Sequence, residues 1–267
     1  MQLDKDQKHI LQLSDIHLGE NYGGKFDTKA TFDRTVAYAG SIKPSGGFDA
    51  VVITGDIADP EGPVDNYVYV LKKAKALCNG SCNIFVTPGN HDNREKLREA
   101  YCIATGDGEG GNEMLTPGMQ FKMAKVGPKM IVLIDTGDDV PFEGMLRLSR
   151  YAYDQGEQFH AEDTLLFTHK PFKSEGNLYH RFMKDNMLPN RMSADLARYI
   201  DGYFCGHLHH AARFDVAFPV YVAPGIQTQI DPYRKEFDSI VVPGFNIISF
   251  NNHYNSTVSV HTVFVED

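Results

Sequence analysis

An α/β fold, with two packed β-sheets and helices on the outside, is the architecture this sequence predicts. Three observations point to it. Short apolar runs rich in β-branched residues each end in a polar motif: residues 9–13 before Ser14-Asp15, 50–54 before Gly55-Asp56, 84–88 before Gly89-Asn90, and 164–168 before His169. Such runs, bounded by turn residues, read as buried strands. Strands alternate with helical patterns through the first half, while the last third is strand-rich, which suggests two sheets. No repeat, low-complexity tract or linker breaks the 267 residues, so 1–267 reads as one domain.

Taken in order, the first strand precedes a helix expected over 28–42. A second helix, over 63–78, carries Val64, Tyr67, Val68, Leu71, Ala74 and Cys78 near the spacing i, i+3, i+4, i+7, an apolar stripe suited to packing on a sheet. A third starts at Asn93, where Arg94-Glu-Lys-Leu-Arg-Glu-Ala favours helix. Residues 106–111 are acidic and glycine-rich, a surface loop. Strands near 119–126 and 130–134 share the Gly127-Pro128 turn, and a helix near 144–158 leads into the 164–168 strand. Residues 172–192 are irregular, and Ser193 is a candidate cap for a helix through Tyr199. Strands follow at 202–205, 212–216, 219–223, 245–250 and 257–264. The C-terminal segment 226–267 is expected to complete the second sheet, with the 227–244 loop, carrying Tyr233, Arg234 and Lys235, as a substrate or dimer loop.

A net charge of −9 and a pI near 5.6 argue against a surface that wraps nucleic acid or binds anionic lipid. No apolar run approaches the ~18 residues of a membrane span, and the N-terminus lacks the apolar region of a secretory signal. Four scattered cysteines, Cys78, Cys82, Cys102 and Cys205, read as reduced thiols of a cytoplasmic protein, with a local bridge or metal pair at Cys78 and Cys82 as the other readings. A homo-oligomer is left open.

The chemistry lies in the motifs Asp15-Ile-His17, Gly55-Asp56, Gly89-Asn90-His91-Asp92, Thr168-His169 and Gly206-His207-Leu-His209. In open α/β sheets, ligand-binding groups sit on loops beyond the carboxyl ends of strands, so these segments can converge on one edge. A carboxylate just after a buried strand is costly unless paired or bound to a cation. Two carboxylates (Asp15, Asp56), four imidazoles (His17, His169, His207, His209) and the Asn90 amide exceed the needs of one tetrahedral zinc and suit two adjacent ions. Mixed nitrogen and oxygen ligation points to Mn, Fe, Zn or Co. Two such ions about 3.5–4 Å apart clamp a phosphoryl group and hold a water as hydroxide. Asp56 is the natural bridging carboxylate, and His91, beside a ligand without being needed as one, is free to stabilise charge or protonate a leaving oxygen.

The same residues resemble the signature of the calcineurin-like metallophosphoesterase superfamily, over roughly residues 9–225. That resemblance implies a four-layer sandwich of two mixed sheets flanked by helices. It implies that Asp15, His17, Asp56 and His209 hold one metal, and Asp56, Asn90, His169 and His207 the other, with His91 touching substrate; Asn90 and His91 are the candidate catalytic residues. The flanks Pro88-Gly-Asn-His-Asp-Asn-Arg94 and Cys205-Gly-His-Leu-His-His-Ala211 are similar to class III cyclic nucleotide phosphodiesterases, which implies a small phosphodiester such as a 3′,5′-cyclic nucleotide as substrate. Many relatives carry His-His-Pro-Pro where this chain has His169-Lys170-Pro171-Phe172. Lys170, Tyr22, Arg94 and His210 are candidate substrate contacts, His210 also as support for a ligand. His9, His160, His180, His253 and His261 are read as ordinary surface or core residues. Three other functions compete. Ser14-Asp-Ile-His-Leu-Gly19 also resembles a DNA nuclease of the SbcD type; the others are a phosphomonoesterase or protein phosphatase, and a non-catalytic scaffold.

Overall fold

The structure, a computed structural model, describes residues 3–20, 27–106, 121–135, 164–171, 200–230, 239–240, 242–253 and 255–266. Three strands and three helices alternate first: β1 (Gln7–Leu13), α1 (Thr28–Ile42), β2 (Phe48–Thr54), α2 (Val64–Lys75), β3 (Cys78–Thr87) and α3 (Arg94–Thr105). Then come β4 (Phe121–Val126), β5 (Lys129–Ile134), β6 (Thr164–Phe167), β7 (Ile200–Cys205), β8 (Ala212–Asp215), β9 (Pro219–Val222), β10 (Gln229–Ile230), β11 (Ser239–Ile240), β12 (Gly244–Asn251) and β13 (Ser259–Phe264). The expected helices at 144–158 and 193–199, and the irregular 172–192 stretch, lie outside the described residues.

Two mixed sheets result. One has the order β13-β12-β1-β2-β3, the other β4-β5-β6-β7-β9-β8. Strands β1, β2 and β3 are parallel, as are β5, β6, β7 and β9, so their carboxyl ends point one way within each sheet. Side chains alternate between faces with the two-residue period of strands. In β1 and β2, Leu11, Leu13, Val51 and Ile53 pack with Phe32, Tyr67, Leu71 and Leu97 of the helices. Ile10, Ala50 and Val52 turn the other way, against Ile131, Leu133, Leu165 and Phe167 of the second sheet. Phe204 stacks between Phe167 and Tyr221 there, with ring centroids 4.9 and 5.2 Å apart.

Local chemistry sets the helix ends. The Asp27 carboxylate caps α1 by accepting from the Ala30 amide, and the Asn93 side chain caps α3 by accepting from Glu95 and Lys96. Gly106 closes α3 in the left-handed conformation, its amide bonded to Cys102. The second helix is shorter than its periodicity predicts: it stops at Lys75, and Cys78 begins β3 instead of ending the stripe. The sheet captures the chain here, with Phe48 N–H bonded to Leu77 O and Phe48 paired with Cys78. Cys78 is disulfide-bonded, which corrects the expectation of a reduced thiol at that position, whereas Cys102 and Cys205 are free. Segment 226–267 also departs from expectation. Instead of extending the sheet of the preceding strands, β12 runs antiparallel to β1 over Gln7–Gln12 and carries β13 with it. The short β10–β11 ribbon interrupts the 227–244 loop, and residues 231–238, with Tyr233, Arg234 and Lys235, lie outside the described residues. Among the described residues no helix is long and apolar enough to cross a membrane.

Candidate metal centre

The loops after β1, β2, β3, β6 and β7 meet on one edge and are laced together by main-chain hydrogen bonds. Asp15 N–H donates to Gly55 O, His17 N–H to Asp56 O, Gly206 N–H to His169 O, and Gln227 N–H to Asp15 O. Among the described residues six other than glycine have positive φ, and five of them are Asp15 (52°), His17 (49°), Asp56 (52°), His207 (70°) and His209 (49°). Left-handed backbone costs about 1–2 kcal/mol per residue outside glycine, although Asp and His bear it more readily than branched residues. Strain concentrated on the motif residues marks them as aimed by the fold. Two glycines make the close approach feasible. A Cβ on Gly89 would fall 2.1 Å from Asp56 Oδ1, and one on Gly206 would fall 1.8 Å from Ser14 Oγ and 2.6 Å from Asp15 Oδ2.

All seven side chains predicted as ligands are brought together. Asp15, His17, Asp56 and His209 offer ligand atoms within 4.8 Å of one another, and so do Asp56, His169 and His207, with Asp56 common to both groups. Asn90 Oδ1 lies 3.1 Å from His169 Nε2, joining the second group. Asp15, His17, Asp56, His169 and His207 are buried, and His91 stands exposed at the rim, its backbone N–H donating to Asp56 Oδ1 at 2.9 Å.

The protons on these rings are fixed from outside the pocket. His169 Nδ1 lies 2.8 Å from Thr54 O, His209 Nδ1 3.3 Å from Thr228 O, and His17 Nδ1 2.9 Å from Glu20 Oε1. These oxygens can only accept, so each neutral ring carries its proton on Nδ1 and turns an Nε2 lone pair inward. Inside, His17 Nε2 faces His209 Nε2 at 3.1 Å and Asp56 Oδ2 at 3.6 Å; His169 Nε2 is 3.2 Å from Asp56 Oδ2, and His209 Nε2 is 3.5 Å from Asp15 Oδ1. The Nε2 of His207 is buried without a hydrogen-bond partner. Buried polar groups are normally paired. A pocket of acceptors facing acceptors is satisfied by cations, so the donor set fits the metals the sequence implies.

Electrostatics agree. Burial would raise the Asp56 carboxyl, but His169, His17 and the His91 N–H hold it well below the usual carboxylate range. Burial opposes charge on His169, yet Asp56 and Asp15 raise it to about 9. Burial and the charge of His169 push His207 well down, and burial lowers His209. In the metal-free fold the Asp56 charge keeps a second proton on His169, which a cation taking its place would displace.

Other candidates fare unevenly. Arg94 forms a bidentate pair with Asp135, Nε to Oδ2 at 2.8 Å and Nη2 to Oδ1 at 2.9 Å. Lys170 is half-buried, and its charge helps depress His207. His210 is half-buried on the adjoining turn, and Tyr22 lies outside the described residues, as do His160 and His180. His9 is a core residue bonded to Ser249 and Asp4, while His253 and His261 are exposed. Sequence reasoning missed Glu20, Thr54, Thr228 and the role of Asp92. Buried Asp92 accepts from Ile57 and Gly89, tying the β2 and β3 loops, and burial plus the Asp56 charge raise it to about 6. Its place inside the Gly-Asn-His-Asp motif was the one signal for it; the carbonyls carry none, because any residue supplies one.

Two sheets that present an acceptor-rich pocket at their shared strand ends define a scaffold for metal-dependent hydrolysis. The chain belongs to the calcineurin-like phosphoesterase family, which it matches over residues 8–211, and is by that membership a hydrolase of phosphoesters. A probable cyclic nucleotide phosphodiesterase of Fibrobacter succinogenes is 23% identical over 96% of this chain and 94% of its own length. A probable glycerophosphodiester phosphodiesterase, GpdQ, of Arcobacter nitrofigilis is 26% identical over 76% of this chain and 72% of its own. Among solved structures, the purple acid phosphatase PPD1 of yellow lupin superposes with a TM-score of 0.60 at 11% identity, over 99% of this chain and 52% of that one. A putative 5′-nucleotidase of Staphylococcus aureus gives 0.55 at 14% identity, over 98% of this chain and 55% of that one. At such identities the structural likeness speaks for the fold alone.

Proposed function

We propose that this protein is a dinuclear-metal phosphodiesterase acting on a small diester of the 3′,5′-cyclic nucleotide type. The observation that carries the reading is the acceptor-rich pocket in which Asp56 belongs to two ligand groups at once. Asp15, His17, Asp56 and His209 would hold one ion, and Asp56, Asn90, His169 and His207 the other; Mn, Fe, Zn and Co suit such a set. Bound there, the pair supplies the charge that polarises phosphoryl oxygens and activates water.

The remaining work belongs to the chain. Thr54, Thr228 and Glu20 hold the rings of His169, His209 and His17 in the tautomer that points Nε2 inward. Asp92 fixes the loop that carries Asn90 and His91. His91, exposed at the rim, protonates the departing oxygen, and Lys170 adds positive charge beside His207 for the phosphate. The acidic net charge of −9 argues against a DNA substrate. The diester preference is supported by two relatives, named as probable phosphodiesterases, that align over most of the chain.

The test is a panel on protein stripped by chelation and reloaded with Mn²⁺: cyclic AMP, glycerophosphodiesters, bis(p-nitrophenyl) phosphate, p-nitrophenyl phosphate and DNA. Metal-stimulated hydrolysis of small diesters ahead of the monoester is expected. No diester hydrolysis by the Mn²⁺-loaded protein ends the reading, and faster monoester turnover replaces it with a phosphomonoesterase.

A further inference from the structure

We propose that Glu20 is the positioning residue for His91, holding its imidazole over the pocket rim with Nε2 turned to the substrate's leaving oxygen. The inference rests on the phosphodiesterase reading above and goes beyond it, since Glu20 lies outside the ligand motifs.

One carboxylate oxygen, Glu20 Oε1, receives two imidazoles: His17 Nδ1 at 2.9 Å and His91 Nδ1 at 3.1 Å. The two rings meet edge to face with centroids 4.9 Å apart. The carboxylate is shielded, with 12% side-chain exposure against 44% for His91, so the bond holds an exposed ring from the protein side. The backbone is built to deliver this contact. Glu20 N–H returns to His17 O at 3.1 Å, closing a four-residue turn whose third position is Gly19 at φ 88°, the conformation that position takes in a type II turn. Gly19 N–H is in turn bonded to Thr28 Oγ1 in the first turn of α1, and a Cβ on Gly19 would lie 2.6 Å from Asn66 Nδ2.

An imidazole with Nδ1–H engaged by a carboxylate presents only Nε2 for proton transfer. As the oxygen of water bonds to phosphorus and the bond from phosphorus to the leaving oxygen breaks, the Nε2 proton passes to that oxygen. A proton from the attacking water, relayed through solvent, restores Nε2. Glu20 keeps the Nδ1 proton throughout and fixes the ring's rotation, as the third group of a hydrogen-bonded chain does.

The test is a double-mutant cycle with the Mn²⁺-loaded enzyme: wild type, Glu20→Gln, His91→Ala and the double variant, on diesters with an alkoxide or a p-nitrophenoxide leaving group. Melting temperature and metal content are measured for each. Glu20→Gln removes the charge but keeps the shape. It is expected to lower kcat on the alkoxide diester about 10- to 100-fold, the range seen for groups that orient functional imidazoles, with a much smaller loss on the activated diester. In the His91→Ala background the same change is expected to cost less than about 2-fold, because coupled residues are not additive. A full Glu20→Gln loss in that background, with or without loss of bound manganese, overturns the inference and leaves Glu20 acting through His17 alone. A His91→Ala enzyme that keeps its activity refutes the role of His91 itself, a separate failure visible in the single variant.

Discussion

Asp56 links the two groups of candidate ligands in the pocket. It contacts His17 and His169, accepts from His91, and belongs to both ligand groups. Asp56→Asn keeps the volume and removes the charge that both cations would share. Activity is expected to fall on the order of 1,000-fold, several kcal/mol of transition-state stabilisation, with bound metal dropping in the same sample by elemental analysis. His91→Ala is the contrasting variant: a loss of about 100- to 10,000-fold, the range of general-acid groups, with metal content unchanged. Gly206→Ala probes space, since its Cβ would strike Ser14 and Asp15. A loss of about 1–3 kcal/mol from forced displacement is expected by denaturant titration.

The elements that aim these residues are short loops leaving the carboxyl ends of strands, and α3 gives the clearest test. Its Asn93 cap directly follows Asp92, so the helix start fixes the Gly-Asn-His-Asp loop. Asn93→Ala is expected to destabilise the protein by about 1 kcal/mol in urea unfolding while raising KM more than it lowers kcat. At this scale much was legible in the sequence. The α1 boundaries coincide with the expected 28–42, and β4, β5, β6, β12 and β13 fall where apolar runs announced them. All seven ligand candidates meet because each motif follows a strand whose carboxyl end is dictated by parallel pairing. The failures have physical causes. Periodicity carried α2 on to Cys78, where pairing with Phe48 won, and the two-residue β10 and β11 lie below the length at which alternation is visible. Glu20 escaped notice because its contacts depend on a turn that brings it back to His17, and the partner of Arg94, Asp135, lies 41 residues away in the sequence.

For the molecule as a whole, the pocket ties stability to pH. His169 and His91 are raised to about 9 in the metal-free fold, against about 6.5 in an unfolded chain. A group raised on folding contributes stability that is complete below its unfolded value and lost as pH climbs through its folded one. The chelated protein is therefore expected to melt progressively lower between pH 6.5 and 9. Metal requires the neutral rings, so saturating Mn²⁺ should raise the melting temperature throughout and flatten that slope, both readable by calorimetry. Asp15, Asp56 and Asn90 follow strands of one sheet, whereas His169 and His207 follow strands of the other. An ion gripped from both sides acts as a rivet through the sandwich: neither half can peel away without ejecting it. Amide hydrogens of β2 and β6 should then exchange as one cooperative block in the loaded protein and as two after chelation.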